Sequence, residues 1–370
     1  MNNFLLFLKL VNIMVGYFSN FSRAKKVWSN FKMNRRKVIG NLSLASLGIA
    51  TTGFASGNIF TTPALQREGS FSLNGHLLRF THPAITKSFS ITMLADTHLF
   101  KDDARGLLYA GFSGRMAKAY NNTKHFISGE PTNPEKAFVE TLQVAQQSNA
   151  AMLAMIGDIF SFPSEAAVEW VKEELKKSGL DYVYTAGNHD WHYEGMEGTS
   201  DILRDTWIKK RLHPLYNGQY PYAHRKEING VIFITIDNST YEINDSQLAL
   251  LESCLQEGKP CLLMVHIPLY APGRPVSFGC GHPQWNAAND KNFQLERRMP
   301  WRATGHTATT LAFYNTAFSA PNLMGILAGH IHQPSVDVIN GIPQVVAAAN
   351  ANGGYLQVSF NANHDYFPAQ

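Results

Sequence analysis

The chain has 370 residues, of which 45% are hydrophobic and 16% are charged; it can bury a large core, and its composition is not that of a disordered protein. The formal net charge is +4, but residues 1–37 contain eight basic residues and no acidic residue. The remainder has 24 basic against 28 acidic residues, a balance that argues against nucleic-acid binding by the folded part.

The N-terminal segment has the layout of an export signal. Met33–Gly57 runs from a basic head through a moderately apolar stretch to small residues around Ala55, as export signals do. The adjacent Arg35 and Arg36 resemble the twin-arginine signal of bacterial export, which carries folded proteins. The alternatives are an ordinary secretory signal and a membrane anchor. An anchor is disfavoured because polar residues interrupt the apolar run.

We therefore expect residues 1–55 to be a lead-in and export signal. The mature protein is then expected to be periplasmic or extracellular, without a stable membrane span, and the precursor to engage the twin-arginine export machinery. Met33 is an alternative translation start to Met1, because residues 1–32 form a second apolar and basic segment with no assigned role.

Strands are predicted first by a hairpin signal and then by five apolar runs. Asn74–Gly75 lies between two short extended runs, a pattern typical of a hairpin, within an N-terminal region that we place at residues 56–87. Continuous apolar runs that end in polar residues suit strands buried on both faces. The runs are Phe89–His98, Ala150–Asp158, Asp181–Asp190, Cys261–His266 and Asn322–His332.

Three segments between these runs have the apolar spacing of helices: Asn133–Asn149, Pro163–Gly179 and Asp245–Gly258. Strands that alternate with helices predict right-handed crossovers in a mostly parallel sheet. The tail differs, because Ser335–Phe360 reads as successive short strands. The sequence thus predicts a mixed α/β fold with two sheets in a domain spanning residues 88–362.

Two long irregular segments, residues 100–132 and 269–305, interrupt this alternation. Loops of this length inside a compact domain are usually functional or disordered. Their aromatic and basic residues combine stacking surface with anion-binding groups, and we expect substrate binding from Arg105, Trp285, Trp301 and Arg302. The alternative is a solvated loop whose tryptophans pack on the domain.

Each of the five apolar runs ends in side chains that can bind a metal ion. They are Asp96 and His98, Asp158, Asn188, His266, and His330 and His332. The carboxyl ends of parallel strands converge on one crevice, and residues two apart in a strand point to one side. The spacing of the last pair, about 6–7 Å along a strand, suits two ions roughly 3.5–4 Å apart. A ligand set of imidazoles and carboxylates without cysteine favours Mn, Fe or Zn.

Taken singly, these elements have ordinary explanations, such as a surface Asp-x-His, a turn at Gly157–Asp158 or a core histidine at position 266. In this order they resemble the blocks D-x-H, G-D, G-N-H-D/E, H and G-H-x-H of the calcineurin-like metallophosphoesterase family, over roughly residues 88–360. "ADTHLF" and "GHIHQ" are most similar to the branch that contains class III cyclic-nucleotide phosphodiesterases. The resemblance implies a four-layer α/β/β/α sandwich of two mixed sheets, with the dimetal site at the strand carboxyl ends.

The resemblance also implies a role for each site residue. It places Asp96, His98 and His332 on the first metal ion, Asn188, His266 and His330 on the second, and Asp158 between the two. His189 is implied to face the leaving group and not to bind metal. Many family members carry an acid three residues after the bridging aspartate, where this chain has Ser161. The sequence therefore does not identify the group that orients His189, and Asp190 is one candidate.

These features predict a hydrolase of small phosphate esters that uses a metal-bridging hydroxide and two divalent or trivalent ions (Mn, Fe or Zn). A phosphodiester substrate is favoured by the class III resemblance, and a broad-specificity phosphomonoesterase is the alternative. A non-catalytic metal-dependent binding or scaffold protein is the alternative from another class. It would be expected to lack ligands or His189, and this chain retains all of them.

Overall fold

The computed structural model describes residues 67–113, 116–285 and 305–362. They belong to one compact unit, Pro63–Gln370. The expected export signal, Trp301 and Arg302 lie outside the described residues. In the part of the chain that is described, no helix is both long enough and apolar enough to cross a membrane.

The described residues contain strands and helices in an order that alternates through most of the chain. The strands are β1 Ser70–Asn74, β2 Leu77–Thr81, β3 Phe89–Leu94, β4 Thr123–Lys124, β5 Pro131–Thr132, β6 Leu153–Ile156, β7 Tyr182–Thr185, β8 Ala223–Ile228, β9 Val231–Ile236, β10 Cys261–Val265, β11 Leu323–Ala328, β12 Ser335–Ile339, β13 Ile342–Val346 and β14 Leu356–Asn361. The α-helices are α1 Ala110–Ser113, α2 Pro134–Gln147, α3 Glu165–Ser178, α4 Ser200–Trp207, α5 Asp245–Gln256 and α6 Ala308–Ser319.

Twelve of the described strands form two six-stranded sheets. The first has the order β1-β2-β14-β3-β6-β7, and the second has the order β12-β13-β11-β10-β9-β8. Strands β3, β6 and β7 run parallel to one another, as do β9, β10 and β11. Strand β14 is antiparallel to β3, and β8 and β12 are antiparallel edge strands. Both sheets are therefore mixed.

Three hydrophobic cores show that the sheets and helices stack in four layers. The first core joins the outer face of the first sheet to α2 and α3, through residues such as Met155 and Phe138. The second joins the other sheet to α5 and α6, through residues such as Leu263 and Phe313. The third lies between the sheets and contains fully buried side chains such as Phe233, each of which contributes about 1.5–3 kcal/mol by leaving water. The predicted α/β/β/α sandwich is confirmed.

The three predicted helices are present, and their ends follow from their capping residues. Asn133 and Ser164 accept hydrogen bonds from the backbone N–H groups of Lys136 and Ala167 at the starts of α2 and α3, which satisfies donors that a helix start leaves without partners. Helix α3 stops at Gly179, whose φ of +66° is unfavourable for residues with a side chain. Local chemistry therefore set these boundaries to within two residues.

Some of the fold was not predicted. The β8–β9 hairpin turns at Asn229–Gly230, a pair that favours such turns, so a usable sequence signal was present. The tail strands also divide: β12 and β13 join the second sheet, whereas β14 inserts into the first sheet between β2 and β3. Sequence pattern does not encode this division, because each of these strands has an apolar face that either sheet would bury.

Candidate metal centre

The five predicted strand ends come together at one edge of the two sheets. Side chains of Asp96, His98, Asp158 and His332 can each offer a ligand atom within 4.8 Å of the others. A second group with the same property consists of Asp158, His266 and His330. Asp158 belongs to both groups, so its carboxylate lies where two adjacent cations would share it.

The first group points its polar atoms at one small volume. The Nε2 atoms of His98 and His332 are 2.9 Å apart. His332 Nε2 is 3.5 Å from Asp96 Oδ1, and His98 Nε2 is 3.9 Å from Asp158 Oδ2. Two imidazole nitrogens and two carboxylates that converge in this way are the donor set expected for a borderline metal ion.

The second group is oriented by the backbone. His266 Nδ1 lies 2.9 Å from the carbonyl oxygen of Ile156, to which the imidazole donates its Nδ1–H. That bond turns Nε2 towards Asp158 Oδ2, 3.2 Å away. A ligand histidine normally donates its other N–H in this manner.

Asn188 provides an independent test of whether the residues suit a metal ion. The residue is 4% exposed, and its buried Oδ1 has no hydrogen-bond partner among the described residues. A buried acceptor left unpaired costs about 1–3 kcal/mol, a cost that a cation at this oxygen would offset. The residues present therefore fit a two-metal centre.

The backbone at the centre adopts conformations that most residues avoid. Ten non-glycine residues in the described part of the chain have positive φ, and four of them are asparagines, which tolerate this region. The other six are Asp96, His98, Asp158, His330, His332 and Tyr241. We expected the paired residues to share a side because the chain is extended, whereas the structure places them in left-handed turns beyond β3 and β11. Strain of this kind concentrates at functional sites.

Two glycines allow the loops to pack closely around Asp158. A Cβ atom on Gly157, whose φ is +77°, would lie 2.5 Å from His266 Nδ1. A Cβ atom on Gly187 would lie 2.1 Å from Asp158 Oδ1. The glycines of the G-D and G-N-H-D blocks are thus required by the space available, because a side chain at either position would displace a predicted ligand.

The loops are further tied together by buried polar residues. The Asp190 carboxylate accepts hydrogen bonds from the backbone N–H groups of Phe160 and Gly187, each at 2.8 Å, and so joins the loops after β6 and β7. Asn350, which the sequence did not single out, accepts a hydrogen bond from Thr97 Oγ1 at 2.9 Å and donates to Thr141 Oγ1 at 2.9 Å. Both side chains are fully buried.

His189 lies beside the ligand cluster. Its ring is edge-on to that of His98, with centroids 5.1 Å apart, and its backbone N–H donates to Asp158 Oδ1 at 2.8 Å. Asp190 makes the backbone contacts described above, and Ser161 donates its hydroxyl to the His98 carbonyl oxygen at 2.8 Å. Ser161 thus stabilises the Asp96–His98 loop at the position where many family members carry an acid.

The charges of the metal-free site are set by burial and by pairing. Burial raises the pKa of the Asp96 carboxyl to about 6 and holds the pKa of His98 well below its usual range. Burial would also raise the pKa of Asp158, but the charges of His266 and His189 prevail and lower it. For His266, burial is outweighed by the Asp158 carboxylate, which raises the histidine pKa to about 10. Asp158 and His266 therefore form an ion pair near neutral pH.

The candidate substrate-binding residues are less closely connected to this centre. Arg105 pairs with Asp103, Glu165 and Glu169 on the surface. Trp285 is fully buried and stacks on His306 with ring centroids 4.3 Å apart, so its ring packs within the domain. Trp301 and Arg302 lie outside the described residues. A substrate contact by any of the four stays a prediction.

Two tyrosines next to the predicted ligands were missed. Tyr120 stacks on His98 with ring centroids 4.2 Å apart and an interplanar angle of 12°. The Tyr241 hydroxyl is 2.6 Å from His330 Nε2. Neither residue has a sequence signal, because both lie in irregular segments and contact ligands distant in the chain.

The chain is similar to one known protein family and to several solved structures. Residues 89–334, about two thirds of the chain, match the family model described as calcineurin-like phosphoesterase. No match was found among curated proteins. Similar solved structures include a dimetal phosphatase from Danio rerio (11% identity, TM-score 0.46, 73% of this chain and 91% of that chain). Others are the purple acid phosphatase PPD1 from yellow lupin (Lupinus luteus) seeds (12%, 0.40, 75% and 47%) and GAP50, the anchor in the inner membrane complex of Plasmodium (12%, 0.36, 71% and 72%).

Proposed function

Because this chain belongs to the calcineurin-like phosphoesterase family, a family of phosphate-ester hydrolases, we propose that it hydrolyses phosphodiesters with two metal ions held at the carboxyl ends of the parallel strands. The proposed metals are Mn, Fe or Zn, in keeping with the imidazole and carboxylate donors. Support for a diester comes from the motifs "ADTHLF" and "GHIHQ", which are most similar to the class III cyclic-nucleotide branch. A small phosphate ester is the proposed substrate.

The observation that carries the proposal is the sharing of Asp158 by two ligand groups. Asp96, His98 and His332 would hold one ion, and Asn188, His266 and His330 would hold the other. Because the Asp158 carboxylate lies in both groups, Asp158 would help to hold both ions. A centre of this kind, when occupied, acts as a Lewis acid on phosphoryl oxygens and activates water as the nucleophile.

The chain's own residues position the reaction around that centre. His189 is held by its backbone N–H on Asp158 Oδ1, with its imidazole at the edge of the ligand cluster. A protonated imidazole there can donate its proton to the departing alkoxide, which gains charge as the ester bond breaks. Asp190 keeps the loop that carries Asn188 and His189 against the loop that carries Asp158.

The test is an assay of the purified chain, reconstituted with Mn²⁺ and analysed for metal content, against a chromogenic phosphodiester and its phosphomonoester. We expect faster turnover of the diester. Turnover of the monoester alone would contradict the diester proposal and indicate a broad-specificity phosphomonoesterase. Failure on both with two metals bound would instead favour the scaffold alternative.

His189→Ala tests the assigned catalytic role within the same assay. The variant retains the backbone N–H that contacts Asp158, so we expect two bound metals and a loss of turnover of about 10²–10⁴-fold. His224→Ala is the matched control, because His224 is a buried histidine on β8, outside both ligand groups. Turnover of His189→Ala equal to that of the control would refute the role.

We also propose that the protein is exported by the twin-arginine route to the periplasm or the extracellular space. The support is the sequence of Met33–Gly57, with Arg35 and Arg36 before an interrupted apolar run. An exported location weakens the case for cyclic-nucleotide signalling, so the substrate is proposed as a diester without a specified nucleotide. Fractionation of bacteria that express the full chain tests this location.

A further inference from the structure

Tyr241 contacts the metal centre from a position that the family motifs do not include. It lies between β9 and α5 and is 2% exposed. Its hydroxyl oxygen is 2.6 Å from Nε2 of His330, and its ring is edge-on to the imidazole with centroids 5.5 Å apart. The hydrogen bond therefore involves one of the two nitrogens of a predicted ligand.

The chemistry of imidazole ligands gives that bond a consequence. A neutral histidine binds a metal through one ring nitrogen and carries its proton on the other. With Nε2 of His330 engaged by Tyr241, Nδ1 is the nitrogen left for the group that contains Asp158 and His266. The Tyr241 oxygen would accept the Nε2–H, much as the Ile156 carbonyl oxygen lies against Nδ1 of His266.

Tyr241 is itself held firmly. Its ring stacks on Trp285 at 5.9 Å with an interplanar angle of 9°, and Trp285 stacks in turn on His306. His306 is fixed by the Gly281 N–H at 3.0 Å and by the Glu242 carboxylate at 3.4 Å. A mobile tyrosine could not fix an imidazole, whereas this stack leaves the Tyr241 ring little freedom to rotate.

The backbone of Tyr241 points to the same role. Its φ is +64°, a conformation that is unfavourable for a non-glycine residue. Among the described residues, the other positive-φ residues besides glycine and asparagine are Asp96, His98, Asp158, His330 and His332. Tyr241 thus shares with the predicted ligands a strained conformation that the fold retains.

We propose that Tyr241 is a positioning residue for the second metal ion: its hydroxyl fixes His330 with Nε2 protonated and Nδ1 directed to the metal. The inference rests on the proposed two-metal centre. It also gives Trp285 and His306 a structural role, because Trp285 stacks on Tyr241 and His306 stacks on Trp285.

Tyr241→Phe tests the proposal, because it removes the hydroxyl and keeps the ring, the stack and the backbone conformation. Mn²⁺ titrated into the metal-free variant should bind the second site about 10–100-fold more weakly than in the wild type, with the first site unchanged. Tyr222→Phe is the matched control, since it removes a half-buried hydroxyl that bonds Asp205 at 2.7 Å. The control should bind both ions as the wild type does.

A second measurement on the wild type does not depend on how the variant folds. Nitrogen-15 NMR of the Zn²⁺-loaded protein, with the His330 signal identified by its absence in His330→Gln, should show the proton on Nε2. A proton on Nδ1 would overturn the proposal. Unchanged Mn²⁺ affinity in Tyr241→Phe would also overturn the proposal for Tyr241 but leave the two-metal centre intact. A wild-type protein that binds no second ion would overturn both the proposal for Tyr241 and the two-metal centre.

Discussion

Asp158 and His266 hold between them a proton that an incoming metal ion must displace. The pKa of His266 is raised to about 10 because the favourable effect of Asp158 exceeds the cost of burial. The stability that this pair gives the metal-free protein is fully present below the ordinary histidine pKa and is lost as pH rises through about 10. Metal binding has the opposite dependence on pH, since it requires the neutral imidazole.

At His266, protons and the second metal ion compete for the same imidazole. Between pH 6 and 9, affinity for the ion held by His266 should rise about tenfold per pH unit, as one proton is released per ion bound. Below about pH 6 the slope for the first site should steepen, because the pKa of Asp96 is also raised, to about 6. Calorimetric Mn²⁺ titrations in buffers of different ionisation enthalpy measure the proton directly.

The buried His224 supplies the control for that titration. Burial lowers the pKa of His224 to about 4, so it is neutral throughout the range, and His224→Gln should leave the slope unchanged. An affinity independent of pH, with no proton released, would contradict the assigned state of the Asp158–His266 pair.

At the scale of elements, the loops beyond β6 and β7 depend on Asp190. Its two carboxylate oxygens accept from Phe160 and Gly187, and an amide in this place would direct an NH₂ group at one of those N–H donors. Asp190→Asn should therefore lower the free energy of unfolding by about 1–3 kcal/mol and weaken metal binding, because the two loops carry Asp158 and Asn188.

Denaturant unfolding of the metal-free protein measures this loss, with Asp201→Asn as the matched control. Asp201 is an acid on α4 whose side chain is 75% exposed, and the same substitution there should change stability by less than about 0.5 kcal/mol. If both variants unfold at the same denaturant concentration, Asp190 does not join the loops energetically.

The elements and ligands that could be predicted are those that depend on residues close to them in the sequence. The strand before Asp96 was predictable because β3 is a mostly apolar run, and α3 because Ser164 and Gly179 bound an amphipathic segment. Their convergence followed from the rule that parallel strands present their carboxyl ends at one edge. These causes lie within a few residues of their effects, so sequence alone carries them.

What could not be predicted depends on contacts between distant parts of the chain. Tyr241 and His330 are 89 positions apart, and Thr97 and Asn350 are 253 apart, so no local pattern links either pair. The left-handed conformations of Asp96 and His98 are uncommon for residues with a side chain and depend on the packing of the surrounding loops. Tertiary packing thus supplies the second layer of contacts around the site.

At the scale of the whole molecule, the distribution of charge along the chain bears on the proposed export. The basic residues of positions 1–37 precede a remainder with 28 acidic and 24 basic residues, so the net positive charge lies in the expected lead-in and export signal together. A twin-arginine signal would carry the protein already folded, which would allow the metal ions to be inserted before export. A secretory signal would instead carry an unfolded chain that binds its metals afterwards.

The double variant Arg35→Lys/Arg36→Lys separates these routes because it keeps the positive charge and removes the arginines. We expect the precursor to remain in the cytoplasm, since the twin-arginine machinery reads the arginines themselves, whereas an ordinary secretory signal requires only a positively charged head. The control is Lys25→Arg/Lys26→Arg, which should be exported normally. Fractionation against a cytoplasmic marker gives the result, and export of the lysine variant at the wild-type level would assign the protein to the secretory route.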